Sequence, residues 1–412
     1  MTLYFSSAHA PHPWFSTEDN ELLIGGKKVS VLAAEVGQTP FYAYDRQIIN
    51  EKIQQLRNIL PKQIKLNYAI KANPMPALVA HIASQVDGMD VASASEIHTA
   101  LKAGASPDQI SFSGPGKTTQ ELQLALDTGI IVHVESEREI RLLSELAQQT
   151  GYRPKIAIRI NPDFELKSSG MKMGGGPKPF GIDAERIPQI LQHLPYDKLQ
   201  FCGFHIYSGS QNLRPDFIME SQIKSLELAA RLSSFSAVPI THLNIGGGFG
   251  IPYFPGEKPL VLTDLATHFD QLVVRTQQLL PAAQLVIELG RFLVGEAGVY
   301  VCKVLDKKVS RGSIFLVTDG GMHHHLAASG NLGQVIRKNY PVHIANRISN
   351  PHTEMVSIVG PLCTPLDLLA DRVNLAEAQE GDWVAIFQSG AYGLTASPIK
   401  FLSHPEPKEV LV

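Results

Sequence analysis

The sequence predicts an α/β protein, a (β/α)8 TIM barrel followed by a mostly antiparallel β domain. Up to Arg291, short apolar runs alternate with amphipathic helical patterns. The runs that we expect to form the barrel strands are 64–69, 88–92, 110–112, 130–134, 156–160, 201–206, 242–245 and 284–287. After Arg291 the helical patterns give way to β-branched and aromatic runs between Gly, Pro, Asp and Asn residues. We therefore expect an N-terminal segment (1–40) that joins the β domain, a barrel (41–291) and a C-terminal β domain (292–412).

The starts of three helices support the strand-then-helix order. A hydroxyl residue precedes a glutamate by three positions directly after a predicted strand, which is the pattern of a capping box. The pairs are Ser93 with Glu96, Thr118 with Glu121, and Ser136 with Glu139. An open doubly wound sheet would also alternate, but it would carry a G-x-G-x-x-G turn after its first strand. That turn here reads KANP (71–74), so the closed barrel is favoured.

In the β domain, we expect strands over 299–308, 313–318, 355–359 and 383–387. The N-terminal stretch 22–32 has a Gly-Gly turn between short apolar runs. We expect it to add strands to the same domain.

The composition excludes several classes of function. The chain has 412 residues, 44% hydrophobic and 18% charged, with a net charge of -3. That charge provides no basic field for nucleic acid or an anionic membrane. No apolar run approaches the roughly 20 residues of a membrane-spanning helix, and residues 1–16 lack the pattern of a signal peptide. Three scattered cysteines fit a reducing compartment, so we expect a cytoplasmic enzyme with no nucleic-acid or membrane partner.

Chemically distinctive residues occur where the predicted strands end, which is where barrel enzymes hold their active sites. They are Lys71, Asp90, Arg159, His205, the Gly246–Gly248 run and Glu288. Burial at the end of an apolar run would lower the pKa of Lys71 and favour attack on an aldehyde. The alternative is a rim lysine whose amine reaches solvent.

The other strand ends also allow two interpretations. The glycine run is either a flexible turn or a loop whose N–H groups bind a phosphate. His205 is either a satisfied core histidine or a flat ring that stacks on a planar cofactor. Glu288 either pairs with Arg291 or keeps a pyridine nitrogen protonated.

These positions fall in ordered motifs that resemble those of the group IV, fold type III, pyridoxal 5'-phosphate (PLP)-dependent decarboxylases, which include diaminopimelate and ornithine decarboxylases. The resemblance runs from about Pro40 to the C-terminus. Its motifs are YAIKAN (68–73), DVAS (90–93), RINP (159–162), FG (180–181), HI (205–206), GGGFG (246–250), ELGR (288–291), GPLC (360–363) and GAYG (390–393).

The resemblance implies a role for each matching residue. Lys71 would carry PLP as a Schiff base, His205 would stack on it, and Glu288 would face its pyridine nitrogen. Cys363 would donate a proton near Cα in the active site of a second subunit, which implies a homodimer with shared sites. The remaining cofactor-binding residues would be Asp90, Arg159, Gly246, Gly247, Gly248, Gly290, Arg291, Tyr392 and a serine after His205, with Ser210 preferred and Ser208 open. The substrate-binding residues would be Arg291, Arg337, Tyr340, Cys363, Thr364 and Tyr392.

The implied reaction is removal of the α-carboxylate from an amino acid or a derivative. Thr364 stands where diaminopimelate and ornithine decarboxylases carry an acidic residue for the distal ammonium of the substrate. Together with the motifs GMKMGGGPK (170–178), HIYSGSQ (205–211) and GPLCTPLD (360–367), this resembles a branch that includes the decarboxylase of glutamate attached to an acyl carrier protein and the exosortase-associated decarboxylase. Diaminopimelate decarboxylase is the alternative, followed by a racemase, in which an arginine would replace Glu288, and by a non-catalytic homologue. Adjacent histidines on a strand face opposite ways, so we expect no metal at His323 to His325.

Overall fold

The computed structural model describes Leu3, residues 8–165, the pair 171–172 and residues 174–412. The chain divides into two compact units. The barrel unit comprises Ile53–Gly250 and Leu260–Gly290. The sheet unit comprises the residues up to Lys52, Ile251–Pro259 and Arg291–Val412.

The N-terminal part of the sheet unit is a small antiparallel sheet followed by a helix. Its elements are β1 (Ser16–Glu18), β2 (Glu21–Ile24), β3 (Lys27–Lys28), α1 (Val29–Val36), β4 (Phe41–Tyr44) and α2 (Arg46–Arg57). β1 to β3 pair only with one another among the described strands, so the stretch 22–32 adds strands to the sheet unit as expected, but they form a separate small sheet. The Gly-Gly turn closes a tight hairpin there, and Val29, Leu32 and Val36 then form one buried helix face.

The barrel unit contains the strands β5 (Ile64–Ala69), β6 (Gly88–Val91), β7 (Ile110–Phe112), β8 (Ile131–Val134), β9 (Lys155–Asn161), β10 (Met171–Lys172), β11 (Ile182–Asp183), β12 (Gln200–Ile206), β13 (Gly209–Ser210), β14 (His242–Gly247) and β15 (Gln284–Leu289). Eight of them form a closed parallel barrel in the order β5, β6, β7, β8, β9, β12, β14, β15 and back to β5. The predicted barrel is thus confirmed, and each predicted run lies on one of its strands.

The helices that follow in the barrel unit are α3 (Pro76–Ala83), α4 (Ala94–Lys102), α5 (Thr119–Thr128), α6 (Glu137–Thr150), α7 (Ile187–His193), α8 (Pro215–Ser233) and α9 (Ala266–Leu279). α5 has the complete capping box of Thr118 and Glu121. In α4 and α6 the serine caps the helix, but the glutamate accepts from the N–H one residue before the cap. None of the helices in the described ranges is long and apolar enough to cross a membrane.

The C-terminal part of the sheet unit contains α10 (Arg291–Val294), β16 (Gly298–Ser310), β17 (Ser313–Thr318), β18 (Val342–Ile344), β19 (Thr353–Val359), β20 (Leu368–Ala376), β21 (Trp383–Ile386) and β22 (Lys408–Leu411). β16 is the organising strand, because its first half pairs with β4 and β21 and its second half with β17. Pairing is antiparallel except between β17 and β19 and between β4 and β22. This separate, mixed sheet agrees with the predicted fold class.

One strand falls on the other side of the expected boundary between residues 40 and 41. β4 pairs with β16 and β22 and belongs to the sheet unit, although the sequence analysis assigned its residues to the barrel segment. All of its side chains are buried, and both of its edges are hydrogen-bonded. An apolar run of this kind does not identify its partners, because those strands lie far away in the sequence.

Candidate functional site

Glu288, at the end of β15, is held from the neighbouring strand by an asparagine. Asn244 donates from Nδ2 to Glu288 Oε2 at 2.9 Å, and its Oδ1 accepts from the N–H of Gly246 at 2.8 Å. Glu288 Oε1 lies 3.5 Å from His205 Nε2. Asn244 therefore fixes the carboxylate and starts the glycine loop, while the second carboxylate oxygen points towards the imidazole.

The imidazole of His205 is fully buried, yet neither ring nitrogen has a hydrogen-bond partner within the described chain. Desolvation lowers the pKa of His205 well below its ordinary value, and the positive charges of Arg159 and Lys71 add to this effect. The ring is thus a neutral, flat group. Behind it lies the ring of His133, with 4.4 Å between the two centroids. An imidazole that packs on a second ring and whose nitrogens lack hydrogen-bond partners in the described chain suits contact with a planar aromatic ligand.

Asp90 on β6 is a second buried carboxylate. Its Oδ1 accepts from the hydroxyls of Ser111 at 3.1 Å and Ser113 at 2.7 Å, while Oδ2 has no partner among the described residues. Burial and, to a lesser extent, the charge of Glu288 raise the pKa of Asp90 to about 7, against the opposing effect of Lys71. Asp90 therefore changes its protonation state near neutral pH.

Lys71 lies in the short 3-10 turn Ile70–Ala72 directly after β5. Its side chain is exposed, which agrees with the rim-lysine alternative and not with the buried position. The strand ends at Ala69, and the turn carries the lysine past the last buried residue. Its Nζ lies 5.7 Å from the centroid of the Tyr207 ring. The side chain of Lys71 thus lies next to Tyr207 at an exposed strand end.

The glycine run after β14 is tightly packed rather than open. Gly246 and Gly248 have φ values of +67° and +71°, which disfavour any side chain. A Cβ on Gly246 would lie 2.6 Å from the Tyr207 ring, and one on Gly248 would overlap the carbonyl oxygen of Gly209. The loop therefore packs against the segment after His205. In that segment, Ser208 is buried and its hydroxyl has no described partner, whereas Ser210 is half-buried.

Arg159 at the end of β9 forms a buried ion pair with Glu135, with 2.6 Å between Nη1 and Oε1. The Glu135 carboxylate also accepts from the N–H groups of Gly114 and Gly181 at 2.6 and 3.1 Å. The guanidinium faces the ring of Phe180, 5.2 Å from its centroid. Glu135 thus compensates most of the charge of Arg159 and holds its guanidinium in place beside the histidines.

The glycine-rich stretch 170–178 is described only in part, because residues 170 and 173 lie outside the described residues. β10 within it pairs with β13 in register Met171 to Ser210. Asn161 at the end of β9 accepts from Gly175 N–H at 3.0 Å and donates to the Gly176 carbonyl at 2.8 Å. The loop is thereby joined to two segments that follow barrel strands. Gly290, which follows β15, has no space for a side chain, since a Cβ would lie 2.7 Å from Cβ of Ala72.

In the sheet unit, Arg291 lies in a cluster of tyrosines. Its Nη1 donates to the hydroxyl of Tyr253 at 2.8 Å, and its guanidinium carbon lies 4.6 Å from the ring centroid of Tyr392. Tyr340 packs on Tyr253 with 4.8 Å between ring centroids. Arg291 Nε has no partner in the described chain. Arg337 makes a different contact, with the carbonyl of Leu368.

Cys363 is exposed, whereas Cys202 and Cys302 are buried. The loop that carries it is organised by Asp367. Asp367 Oδ2 accepts from Leu362 N–H at 2.9 Å, and Oδ1 accepts from Met322 N–H at 2.6 Å. Both oxygens of this carboxylate are thus used inside the protein, and Thr364 is a half-buried residue of the same loop.

The histidine triplet lies in a turn after β17 rather than on a strand, contrary to the expected geometry. His324 Nε2 lies 3.0 Å from the carbonyl oxygen of Pro405, and His325 Nε2 lies 2.9 Å from Ser389 Oγ. No group of three or more His, Cys, Asp and Glu residues in the described ranges could hold a metal ion. The triplet therefore contributes packing and local hydrogen bonds.

Several residues with evident roles were not selected from the sequence: Asn244, Glu135, Ser113, His133 and His242. Each is polar and lies on or directly after a strand whose neighbours are apolar. Polar residues at such positions are buried inside the barrel and must find partners there. That placement was the available signal, but the partners come from other strands.

The barrel residues fit PLP as a ligand. Among the described residues, the His205 ring, one Asp90 oxygen and the Ser208 hydroxyl are buried without hydrogen-bond partners. Buried polar groups of this kind call for a ligand that supplies the missing contacts. PLP offers a planar ring, a pyridine nitrogen for a carboxylate and a phosphate for a hydroxyl and backbone N–H groups.

Comparisons with known proteins agree with this fit. The family described as "Pyridoxal-dependent decarboxylase, pyridoxal binding domain" matches residues 46–295. The chain is 39% identical over 382 residues to L-glutamyl-[BtrI acyl-carrier protein] decarboxylase of Niallia circulans, covering 91% of this chain and 89% of that protein. It is 32% identical over 404 residues to diaminopimelate decarboxylase of Aquifex aeolicus, covering 97% and 93%.

Solved structures agree as well. The crystal structure of diaminopimelate decarboxylase from M. jannaschii with L-lysine is 26% identical and superposes with a TM-score of 0.88, covering 97% of this chain and 93% of that one. The family match covers more than half of the chain, and the curated relatives are decarboxylases along almost their whole length. The chain is therefore a carboxy-lyase that uses PLP, and it belongs to the family of pyridoxal-dependent decarboxylases.

Proposed function

We propose that this enzyme decarboxylates an amino-acid derivative that has no free distal ammonium, with glutamate held on an acyl carrier protein as the preferred substrate. The observation that carries the proposal is that the loop around Cys363 offers no carboxylate without a hydrogen-bond partner inside the protein. Within the loop 360–367, Asp367 is the only acidic residue, and backbone N–H groups occupy both of its oxygens. Thr364, directly after the cysteine, carries no charge.

A substrate ammonium would therefore meet no free carboxylate in this loop. The loss of one charge-assisted contact of this kind costs ~2 kcal/mol or more, which corresponds to roughly a thirtyfold preference. The similarity to the Niallia circulans enzyme, whose name specifies glutamyl carrier protein, supports the same substrate class. Diaminopimelate is the alternative, supported by the similarity to the Aquifex aeolicus enzyme.

The decisive experiment measures CO2 release by the PLP-loaded enzyme from glutamyl carrier protein, free glutamate, meso-diaminopimelate, lysine and ornithine. We expect the highest kcat/KM with the carrier-bound substrate. Rapid turnover of free diaminopimelate together with none of glutamyl carrier protein would contradict the proposal.

A matched pair of variants at position 364 sharpens this experiment. Thr364→Asp adds a carboxylate, and Thr364→Asn adds an amide of nearly the same shape without the charge. If the missing carboxylate decides the substrate, Thr364→Asp gains at least about tenfold in kcat/KM for diamino acids and Thr364→Asn does not. If the two variants have the same kcat/KM for diamino acids, the charge at position 364 does not determine the choice of substrate.

The roles of the barrel residues are part of the same proposal. PLP, when bound, accepts the electron pair that remains at Cα after CO2 departs. Lys71 holds the cofactor through its exposed amine, and the neutral ring of His205 orients it from one face. Glu288, fixed by Asn244, keeps a proton at the pyridine nitrogen. Asp90 and Arg159 provide the compensating charges around this group.

We assign phosphate binding to the glycine loop and to a serine of the adjoining segment. The N–H of Gly246 is already donated to Asn244 Oδ1, so Gly247 and Gly248 are the proposed N–H donors to the phosphate, and Gly246 shapes the loop. Ser208 is preferred over Ser210, because its buried hydroxyl lacks a described partner. Arg291 and Tyr392 remain proposed ligands of the phosphate or the substrate carboxylate, and Gly290, Tyr340 and Arg337 remain proposed contacts of cofactor or substrate.

We further propose that Cys363 returns a proton to Cα in the active site of a second copy of the chain. Its exposed position supports this role, because a thiol that acts across a subunit boundary must be accessible on its own subunit. Mixing Lys71→Ala with Cys363→Ala, each inactive alone, would then restore about a quarter of the wild-type activity through hybrid dimers with one intact site. No recovery after subunit exchange, verified by co-purification of the untagged variant with an affinity-tagged one, would contradict shared sites.

A further inference from the structure

A column of polar side chains runs inside the barrel from Asp90. Ser113 Oγ lies 2.7 Å from Asp90 Oδ1 and 2.9 Å from His133 Nδ1. On the other side of that ring, His133 Nε2 lies 3.3 Å from His242 Nε2. All four side chains are buried. We call Asp90, Ser113, His133 and His242 the histidine column.

The far end of the column reaches a cavity at the opposite end of the barrel. His242 is the first residue of β14, whereas Glu288 and His205 lie near the ends of their strands. His242 lines a polar cavity of about 280 Å³ together with residues from the starts of other strands, among them Lys65, Ile110 and Gln284. The column therefore connects the cavity at the amino-terminal end of the barrel with the buried carboxylate of Asp90.

We propose that the histidine column is a proton path between this cavity and Asp90. Each internal member is both a hydrogen-bond donor and an acceptor, so the column can be written in two complete and opposite arrangements. In the first, Ser113 donates to ionised Asp90, His133 Nδ1–H donates to Ser113, and His242 Nε2–H donates to His133. In the second, protonated Asp90 donates to Ser113, Ser113 to His133 Nδ1, and His133 Nε2–H to His242.

The step that links the two arrangements is balanced. A proton binds His242 Nδ1 from the cavity, His242 passes its Nε2 proton to His133, His133 passes its Nδ1 proton to Ser113, and Ser113 passes its own to Asp90 Oδ1. One proton thus leaves the cavity and one appears on Asp90, and every nitrogen and oxygen between them regains its valence. The reverse sequence releases a proton.

The charges around the column favour this behaviour. Asp90 faces Glu288 and Lys71, and its pKa of about 7 lets it exchange a proton near neutrality. His133 faces His205, Lys117 and Arg159, and burial lowers the pKa of His133 well below its ordinary value. Burial also lowers the pKa of His242 to about 4, against the attraction of Glu288. Both rings therefore rest in the neutral form, which keeps one donor and one acceptor nitrogen each.

The path serves a reaction that exchanges CO2 for a proton. It would adjust the charge beside Glu288 from the end of the barrel remote from the strand ends that carry the proposed catalytic residues. This inference does not depend on which amino-acid derivative is the substrate. Ser111 must be removed in any test, because it lines the cavity and also contacts Asp90 at 3.1 Å, which provides a second route.

The test follows the proton on Asp90 itself. The infrared carboxyl band of the PLP-loaded enzyme, assigned by its loss in Asp90→Asn, is recorded after rapid transfer from H2O to D2O below pH 7. In Ser111→Ala the column remains, and we expect exchange at the wild-type rate. In Ser111→Ala/His133→Gln the amide cannot relay a proton, and we expect exchange at least about tenfold slower.

A second pair cuts the column at a smaller side chain. Ser111→Ala/Ser113→Ala removes the hydroxyl and should slow exchange, while Ser111→Ala/Ser113→Thr keeps it and should restore the rate. This pair decides the matter if His133→Gln fails to fold. Exchange in the interrupted variants as fast as in Ser111→Ala would overturn the proposal, because the proton would then reach Asp90 from the strand ends. The band reports no substrate turnover, so it is independent of the proposed function.

Discussion

Two buried aspartates, one in each unit, differ in how their oxygens are used. Asp367 in the sheet unit receives a backbone N–H group on each oxygen. Asp90 in the barrel unit receives two hydroxyls on one oxygen and nothing on the other among the described residues. Burial raises the pKa of both carboxyl groups.

The difference separates a structural role from a chemical one. A carboxylate with both oxygens bound to fixed backbone N–H groups organises a loop, and protonation would weaken these contacts. A carboxylate with movable hydroxyl partners and a second acid nearby can gain or lose a proton without unfolding the chain. Burial alone would not have distinguished them, so the partners of a buried group are the better guide to function.

The largest effect should come from the barrel side. Lys71→Ala removes the amine that is proposed to hold PLP, and we expect decarboxylation to fall by about 10³-fold or more. The measurements are CO2 release and the visible absorbance of bound cofactor. Lys102→Ala, at an exposed position on α4, is the control and should change neither. A fully active Lys71→Ala enzyme would show that Lys71 is not required for decarboxylation and would contradict an active site at the barrel strand ends.

The sheet-unit aspartate should matter to stability rather than to protonation. Asp367→Asn presents an amide nitrogen to one of two buried N–H groups, and an unsatisfied buried donor costs about 1–3 kcal/mol in the free energy of unfolding. Urea denaturation monitored by circular dichroism checks this. The exposed Asp306→Asn should change stability by less than about 0.5 kcal/mol. An equally small change in the free energy of unfolding for Asp367→Asn would contradict the structural role that distinguishes Asp367 from Asp90.

Asp90 should instead affect the pH dependence of the free energy of unfolding. Its pKa is raised from 3.8 to about 7, so between these values the folded state holds a proton that the unfolded chain has released. The contribution of Asp90 to the free energy of unfolding is therefore fully present below pH 3.8. It is lost as the pH rises from there through about 7, at up to about 1.4 kcal/mol per pH unit. Asp90→Asn removes this dependence, so the variant should gain stability relative to wild type as the pH rises.

The measurement is the free energy of unfolding of both proteins at several pH values across that range. The pKa values of His133, His205 and His242 are lowered, so these residues act in the opposite direction, with stability lost as the pH falls below their ordinary value of 6.5. They are present in both proteins and cancel in the difference. A constant difference between the two proteins would contradict the raised pKa of Asp90.

The smallest effect is expected at the exposed cysteine. Cys363→Ser should change the free energy of unfolding by less than about 0.5 kcal/mol, because its side chain is exposed. Cys302→Ser places a hydroxyl in a fully buried position and should cost about 1–2 kcal/mol. Thermal denaturation of the two variants under reducing conditions compares them directly. A large loss at Cys363 would indicate a structural role.

Barrel strands were predictable from sequence because each is a short apolar run followed by a helix start. The strands β18, β20 and β22 were not predicted, since β20 mixes charged and apolar residues (LLADRVNLA) and β22 depends on pairing with β4. For the same reason Phe41–Tyr44 was assigned to the barrel segment. Pairing partners far away in the sequence leave little local trace.

The candidate site shows the same division. Residues at strand ends, such as Glu288 and His205, could be selected because barrel chemistry occurs there. Their supports, Asn244 and His133, could not, because a single polar residue on an apolar strand does not specify its partner. The sequence left both a buried and an exposed Lys71 open, since an apolar run predicts burial up to its end but does not specify the turn beyond it.

The exposed amine of Lys71 has a consequence for handling the enzyme. The route by which this amine meets the aldehyde of PLP is equally open to small primary amines dissolved in the buffer. Tris, glycine or free amino acids at high concentration would compete for the cofactor, so preparations made in them should lose colour on dialysis. Purification in phosphate or HEPES with added PLP should preserve a fully loaded protein.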